Sequence, residues 1–171
     1  MSMPWTVWGD AMERGSLRGG RVYLSGGMEY AHGEGRDWRE ELQQWLEREL
    51  GCSVFNPNRE SEQFLRQRIP GQDFRQLKHD DPRRYHELVA TIVERDSTEI
   101  AEHTDAVVCL WDDGAHRGAG TTGELTLARH FGKPVYMVTQ TPRERIPGWI
   151  LGCVTEIFDS FETLKSSLSN L

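Results

Sequence analysis

The chain has 171 residues, of which 37% are hydrophobic and 27% are charged. This length is typical of one domain, and the composition is that of an ordinary globular protein. The formal net charge of −7 argues against binding to a nucleic-acid polymer or to an anionic membrane surface, because both need a basic face.

Cysteine usage and hydropathy indicate the compartment. Cys52, Cys109 and Cys153 are far apart and odd in number, so we expect reduced, buried thiols and not a disulfide framework or a zinc site. The histidines show no metal-ligand spacing. No apolar run approaches the ~20 residues that span a bilayer, and the N-terminus lacks the apolar segment of a signal peptide. The sequence therefore predicts a soluble, cytoplasmic protein with no membrane partner.

The N-terminal segment differs in composition from the rest of the chain. Residues 1–20 are polar and rich in glycine, and Trp5 and Trp8 are their only large aromatic residues. They predict an arm that is either flexible or docked on a neighbouring surface through the two tryptophans. The folded domain is expected to cover residues 21–171.

The first half of that domain predicts two strands around one helix, followed by an insertion. Apolar residues recur at three- and four-residue steps between Trp38 and Leu50, which predicts a helix with Gly51 as its C-terminal cap. The polar segment from Glu60 to Pro82 contains several helix breakers and predicts an irregular insertion with short helical turns. The two predicted strands are Arg21–Ser25 and Cys52–Phe55.

The second half alternates helices and strands. A glycine-rich turn is predicted over Gly114–Gly123, directly after an apolar strand. A long helix is predicted from Tyr85 to Glu102, with an apolar face made of Leu88, Val89, Ile92, Val93 and Ile100. The remaining predicted elements are strands at Ala106–Trp111, Pro134–Val138 and Thr155–Phe158, and helices at Thr122–Phe131 and Phe161–Leu168.

This alternation predicts an α/β fold: a single, doubly wound domain of the flavodoxin or Rossmann kind, with about five mostly parallel strands. Open sheets of this kind bind ligands at the carboxyl ends of their strands. Two glycine-containing loops, Ser25–Glu29 and Gly114–Gly123, follow predicted strands and face one another there. We therefore expect a small-molecule site in the cleft between them.

Glu124 is the sharpest candidate for chemistry. We expect it in the first turn of a helix, where the helix dipole favours the ionised carboxylate. An ionised carboxylate beside a glycine-lined cavity can attack an electrophilic sugar carbon. The alternative is that Glu124 only caps the helix. Three glycines within six residues, Gly118, Gly120 and Gly123, favour close approach of a ligand to the backbone.

Three further carboxylates and one tyrosine have two interpretations each. Asp96 lies on or beside the apolar face of the long helix, as a functional group or as the partner of an arginine or of the Thr121 loop. Tyr23 is either a core aromatic residue or a hydroxyl donor to Glu124. Asp112 and Asp113 either contact a base, a ribose hydroxyl or a phosphate, or belong to a solvated turn.

With these residues in hand, the chain resembles the nucleoside 2-deoxyribosyltransferase-like family over roughly Val22 to Val138. The resemblance rests on short motifs. They are V-Y-L-S-G-G on the first strand, Phe55-Asn56-Pro57 after the second, Asp96 on the long helix, Gly120-Thr121-Thr122-Gly123-Glu124, and Gly132-Lys133-Pro134-Val135.

The resemblance implies a two-step glycosyl transfer. Glu124 attacks C1′ of a 2′-deoxynucleoside, Asp96 protonates the leaving base, and Tyr23 hydrogen-bonds the nucleophile. Water or a second base then releases the sugar, and the Ser25–Glu29 loop holds its 5′ end. The implied substrate-binding residues are Ser25, Gly26, Gly27, Glu29, Asn56, Asp112, Gly118, Gly120 and Thr121.

The same resemblance leaves the reaction type open. Related members are nucleoside 5′-monophosphate N-glycosidases, and many of the transferases carry an aspartate where this chain has Gly118. A transferase, a hydrolase and a non-catalytic domain that senses a nucleotide-like ligand are therefore the alternatives. The family implies no metal or organic cofactor, and it implies a homo-oligomer.

Overall fold

A computed structural model describes residues 16–170, so Trp5 and Trp8 of the predicted arm lie outside the described residues. Five parallel strands form one sheet in the order β2-β1-β3-β4-β5, which is a flavodoxin-like order. This confirms the predicted α/β class and the single doubly wound sheet. The strands are β1 (Arg21–Gly26), β2 (Ser53–Phe55), β3 (Ala106–Leu110), β4 (Val135–Val138) and β5 (Glu156–Phe158).

Eight α-helices surround the sheet within residues 16–170. The side chains of β1 alternate between its two faces, because successive strand residues point in opposite directions. Val22 and Leu24 pack with α1 and α8, whereas Tyr23 faces α6 and α7. The helices are α1 (Arg36–Leu50), α2 (Pro57–Arg68), α3 (Phe74–Asp80), α4 (Pro82–Thr98), α5 (Asp113–Arg117), α6 (Gly120–His130), α7 (Gly148–Cys153) and α8 (Phe161–Ser169).

The C-terminal end of α1 contacts the segment that precedes β1. Gly51 ends α1 with a φ of +64°, as predicted for a glycine C-cap. The amide of Gly19 donates to the carbonyl of Leu50 at 2.9 Å, and Leu17 is buried in the core on this side of the sheet. Residues 16–20, the described part of the predicted arm, thus pack against α1.

The expectation of an irregular insertion between Glu60 and Pro82 was wrong. The structure has helices α2 and α3 there. Pro70-Gly71 does separate these two helices, as a turn with Gly71 at a φ of +74°, whereas Asp81-Pro82 starts a helix. Asp81 caps α4 by accepting from the amide of Arg84 at 3.0 Å, and Pro82 takes the first helical position, where no amide is needed. Asp73 caps α3 in the same way.

The predicted apolar face of the long helix was only partly right. Leu88 packs in a small cluster with Ile69 and Leu77, but Val93 is 57% exposed. Ile100 is fully buried, because α4 ends at Thr98 and a π-helical turn over Glu99–His103 follows it. The wider π turn rotates the chain, so the apolar residues before and after it do not share one face.

The glycine-rich turn is also more ordered than expected. Asp112 caps α5 by accepting from the amide of Ala115 at 2.9 Å, and α6 already begins at Gly120. Glu124 is therefore the fifth residue of α6 and lies beyond its first turn, contrary to the prediction.

Cys52, Cys109 and Cys153 are free and buried, as predicted. In the part of the chain from 16 to 170, no helix is both long and apolar enough to cross a membrane.

Candidate active site

A cavity of about 1040 Å³ opens at the carboxyl end of β1. It lies between the loop after β1, the N-terminus of α6 and the exposed side of α4, beside the point where the sheet order reverses between β1 and β3. This is the place where open α/β sheets bind ligands. The predicted site residues that line it are Gly26, Gly27, Glu29, Asp96, Gly118, Gly120, Thr121 and Glu124.

Both oxygens of the Glu124 carboxylate accept hydrogen bonds from hydroxyl groups on β1. Tyr23 donates to Oε1 at 2.7 Å, and Ser25 donates to Oε2 at 2.5 Å. The two donors are two residues apart on one strand, so both side chains point to the same face of the sheet. Sequence reasoning expected Ser25 in the loop that holds the substrate, but the structure places its hydroxyl on Glu124.

Burial raises the pKa of Glu124, and the hydrogen bonds from Ser25 and Tyr23 and the charge of Arg39 oppose that rise. The helix dipole, which was predicted to favour the ionised carboxylate, therefore does not set the direction of this pKa shift. The reason is position: the dipole acts within the first turn, and Glu124 lies after it. A carboxylate with few water neighbours and two fixed donors is held in one orientation.

Tyr23 is fully buried, and its ring stacks on Phe55 with 5.2 Å between centroids and 10° between planes. Burial, followed by the negative charges of Glu124 and Asp96, raises its pKa well above that of a free tyrosine. The hydroxyl therefore keeps its proton near neutral pH. Tyr23 is both a core aromatic residue and a hydroxyl donor to Glu124, so the two interpretations of this residue are compatible.

Asp96 lies near the end of α4 and lines the same cavity. Burial raises its pKa to about 6; Arg95 acts against that rise and Glu124 adds to it. An aspartate with this pKa carries a proton for part of the time near neutral pH, as a general acid must. It also has an arginine partner, Arg95, which agrees with the interpretation of Asp96 as the partner of an arginine.

Sequence reasoning did not identify Arg39, which is 1% exposed on α1. Its guanidinium donates to the carbonyls of Gly26 at 2.7 Å, Leu24 at 3.2 Å and Gly35 at 3.0 Å, and to Oδ1 of Asn58 at 3.1 Å. It thus holds the loop after β1 against the start of α1. The sequence does carry a signal, since an arginine stands one turn before the predicted buried Leu42 and two turns before Leu46.

The glycines of the site have two different roles. A Cβ on Gly27 would lie 2.6 Å from the carbonyl carbon of Gly114, so this glycine allows the β1 loop and α5 to pack together. A Cβ on Gly120 or Gly123 would meet no atom within 4 Å. These two positions are open toward the cavity, and the protein's own packing does not require glycine there.

Besides Ser25, two predicted binding residues do not line this cavity. Asn56 is 1% exposed; its side chain caps α2 and donates to Gln43 at 3.0 Å. Asp112 caps α5 and lines a separate, smaller pocket at the ends of β3, β4 and β5. Both short polar side chains are used by helix N-termini, which commonly take Asn or Asp.

The basic side chains around the cavity are already paired with carboxylates. Arg36 and Arg66 bind Glu62 at 2.8 Å and 2.7 Å, and Arg75 binds Glu34 at 3.2 Å. Lys78 binds Glu29 at 3.2 Å, which ties α3 to the loop after β1. Among residues 16–170, no three His, Cys, Asp or Glu side chains are grouped so that they could hold a metal ion.

No protein-family model matches the chain. A comparison with curated proteins likewise found no match. Among solved structures, the chain is similar to a CMP N-glycosidase from Clostridium botulinum, with 20% sequence identity and a TM-score of 0.50. The similarity covers 88% of this chain and 98% of that one. At this level of identity it shows that the two proteins share the α/β fold.

Proposed function

We propose that the protein cleaves or exchanges the N-glycosidic bond of a 2′-deoxynucleoside or a nucleoside 5′-monophosphate, with Glu124 as the nucleophile. One observation carries the proposal: a carboxylate is fixed by two hydroxyl donors at a cavity that Asp96 also lines. Glycosyl-transfer enzymes need such a pair, one carboxylate ionised and one carboxyl group protonated. The CMP N-glycosidase with the same fold acts on a nucleotide, which agrees with this substrate class.

In the first step, one oxygen of Glu124 forms an ester bond with C1′ of the sugar, and the bond from C1′ to the base nitrogen breaks. The electron pair of that bond stays on the base, which takes the proton of Asp96. Tyr23 and Ser25 orient Glu124 during the attack, and neither hydroxyl loses its proton.

In the second step, water or a second base attacks C1′ and breaks the ester to Glu124. Asp96, now a carboxylate, takes the proton that the attacking group gives up. Both carboxyl groups then have their starting protonation states, so no cofactor is consumed. Water as the attacking group makes the protein a hydrolase, and a free base makes it a transferase.

The N-terminus of α6 supports the proposed contacts to the sugar. The helix begins at Gly120 without a side-chain cap, so its first amides have no side-chain oxygen to bind. Substrate hydroxyl or phosphate oxygens suit such amides. Thr121 is 4% exposed and lines the cavity beside them. We further propose a homo-oligomer, which the family resemblance implies.

The test is turnover of a panel of 2′-deoxynucleosides and their 5′-monophosphates, with and without a second free base, followed by chromatography. Wild-type protein is expected to release base or to form a new nucleoside, and Glu124→Gln is expected to lose at least about 1,000-fold in rate. Glu87→Gln is the matched control, because Glu87 pairs with Arg83 and Arg84 on the exposed start of α4.

The alternative is a non-catalytic domain that senses a nucleotide-like ligand. It predicts that one ligand raises the melting temperature while no base is released in long incubations. This alternative is motivated by Gly118, which stands where many transferases have an aspartate. Turnover that survives in Glu124→Gln would contradict the proposed nucleophile.

A further inference from the structure

Arg95 directly precedes Asp96 in α4, and its guanidinium folds back onto that neighbour. Nε and Nη2 of Arg95 lie 2.8 Å and 2.7 Å from the same oxygen, Oδ1 of Asp96. The second carboxylate oxygen, Oδ2, is outside this ion pair. The side chain of Asp96 is 13% exposed and that of Arg95 is 25% exposed, so solvent screens the pair only partly.

Two other elements hold the same guanidinium. Nη2 of Arg95 donates to Oγ of Ser61 on α2 at 3.0 Å, and Cζ lies 5.5 Å from the ring centre of Phe55 at the end of β2. The side chains of the arginines that line the cavity, Arg36, Arg66 and Arg75, are 37% to 76% exposed. Arg95 is more buried than these three.

The contacts of Arg95 join the two carboxyl groups of the proposed reaction. Phe55 stacks on Tyr23, and Tyr23 donates to Glu124. A continuous series of contacts therefore runs from Asp96 through Arg95, Phe55 and Tyr23 to Glu124. The charged and titratable groups that face Asp96 are Arg95 on its own helix, Glu124 on α6 and Tyr23 on β1.

We propose that Arg95 is a positioning residue that fixes Asp96 as the acid of the reaction, so that Oδ2 carries the proton to the leaving base. This inference rests on the proposed function. Oδ1 of Asp96 is held in the ion pair with Arg95. A proton on Oδ2 of Asp96 therefore leaves that ion pair intact. The guanidinium also stabilises the carboxylate that forms when the base departs, and the same carboxylate accepts a proton in the second step.

The first experiment needs no turnover. Aspartate labelled with ¹³C at the carboxyl carbon is titrated by NMR, and the Asp96 signal is assigned as the one that Asp96→Asn removes. Arg95→Met is expected to raise the titration midpoint of Asp96 by about one pH unit or more, because it removes an opposite charge in direct contact. Arg83→Met is the matched control, since the side chain of Arg83 is 91% exposed. Equal midpoints in the two variants would overturn the proposal.

The second experiment uses turnover. Asp96 must be protonated to act, so the alkaline limb of the pH–rate profile reports its loss of that proton. Arg95→Met is expected to move this limb to higher pH and to lower the maximal rate. Arg95→Lys keeps the charge and is expected to leave the limb within about half a pH unit of wild type while the rate falls. A lower rate with an unmoved limb in Arg95→Met would show a merely structural role.

A variant that retains the charge covers the case in which Arg95→Met does not fold. Ser61→Ala removes one support of the guanidinium and leaves the ion pair. It is expected to lower the rate several-fold without moving the alkaline limb, and an unchanged rate would contradict the role of the Ser61 contact. Absence of turnover with a shifted NMR midpoint would count against the proposed function and not against the coupling of Arg95 to Asp96.

Discussion

The hydroxyl of Tyr23 donates to Oε1 of Glu124 across 101 residues of sequence, at 2.7 Å. Ser25, two residues after Tyr23, holds the other oxygen of the same carboxylate. Strand β1 is an interior strand of the sheet, with β2 on one side and β3 on the other, so both donors stand on a rigid element. The carboxylate is thus oriented by a strand that is paired along both of its edges.

Removing either hydroxyl donor to Glu124 should lower the rate of the chemical step and leave substrate binding almost unchanged. Tyr23→Phe keeps the stacked ring and loses the hydroxyl, and we expect kcat to fall about 10- to 100-fold with little change in KM. The pKa of Glu124 should also rise, because the lost hydrogen bond stabilises the ionised form. Ser25→Ala is the matched variant on the other oxygen. Steady-state kinetics measures both, and unchanged kcat in both variants would contradict the orienting role.

The pH dependence of turnover follows from the two raised pKa values. Activity needs Glu124 ionised, so it should fall as pH drops through the raised pKa of this group. It also needs Asp96 protonated, so it should fall again as pH rises above about 6. We expect a narrow bell-shaped profile whose two limbs belong to the coupled pair. A rate that stays constant from about pH 5 to pH 8 would contradict this assignment.

Glu124 should weaken the fold at neutral pH. Its pKa is higher in the folded chain than in the unfolded one, so the folded state binds the proton more tightly and loses stability as pH rises through this interval. Glu124→Gln removes the buried charge, and we expect a higher melting temperature at pH 7.5. The gain should be about 2–4 °C for each kcal/mol and should shrink at low pH. Calorimetry at both pH values measures it; a melting temperature below wild type at pH 7.5 would count against the effect.

The two kinds of glycine should respond differently to alanine. In Gly27→Ala the new Cβ meets backbone atoms of Gly114 and Ala115 at 2.6 Å and 2.7 Å, so we expect a loss of about 1–3 kcal/mol of stability. In Gly120→Ala the new methyl group enters open space at the cavity. Its stability should be unchanged or slightly higher, while KM rises. Urea unfolding and substrate saturation curves distinguish the two, and equal stability losses would contradict the assignment.

Arg39 should stabilise the fold by holding the loop after β1 in place. Arg39→Met leaves the carbonyls of Gly26, Leu24 and Gly35 without their common donor, so we expect a loss of about 3 kcal/mol or more. Arg48→Met is the control, because Arg48 has a side chain that is 72% exposed and pairs with its sequence neighbour Glu49. Equal urea midpoints for the two variants would show that the buried network contributes little.

Local patterns were sufficient for the sheet and for several elements around it. The apolar runs of β3 and β4, the periodicity of α1 and the glycine at its end act over a few residues, so the sequence reveals them directly. The same patterns misled at Pro82, where a proline can stop a helix or start one. Which of the two occurs depends on Asp81 folding back as a cap, and this is a contact of the formed helix.

The sequence by itself determined that this is a doubly wound α/β domain, and it named Glu124, Asp96 and Tyr23 as candidates at one edge of the sheet. Only the tertiary structure decided that Ser25 binds Glu124, that Arg39 supports the loop after β1, and that Asn56 and Asp112 serve as helix caps. The physical reason is the range of the interactions. Periodicity and capping act between near neighbours, whereas the partner of a buried polar group depends on strand register and packing between distant segments.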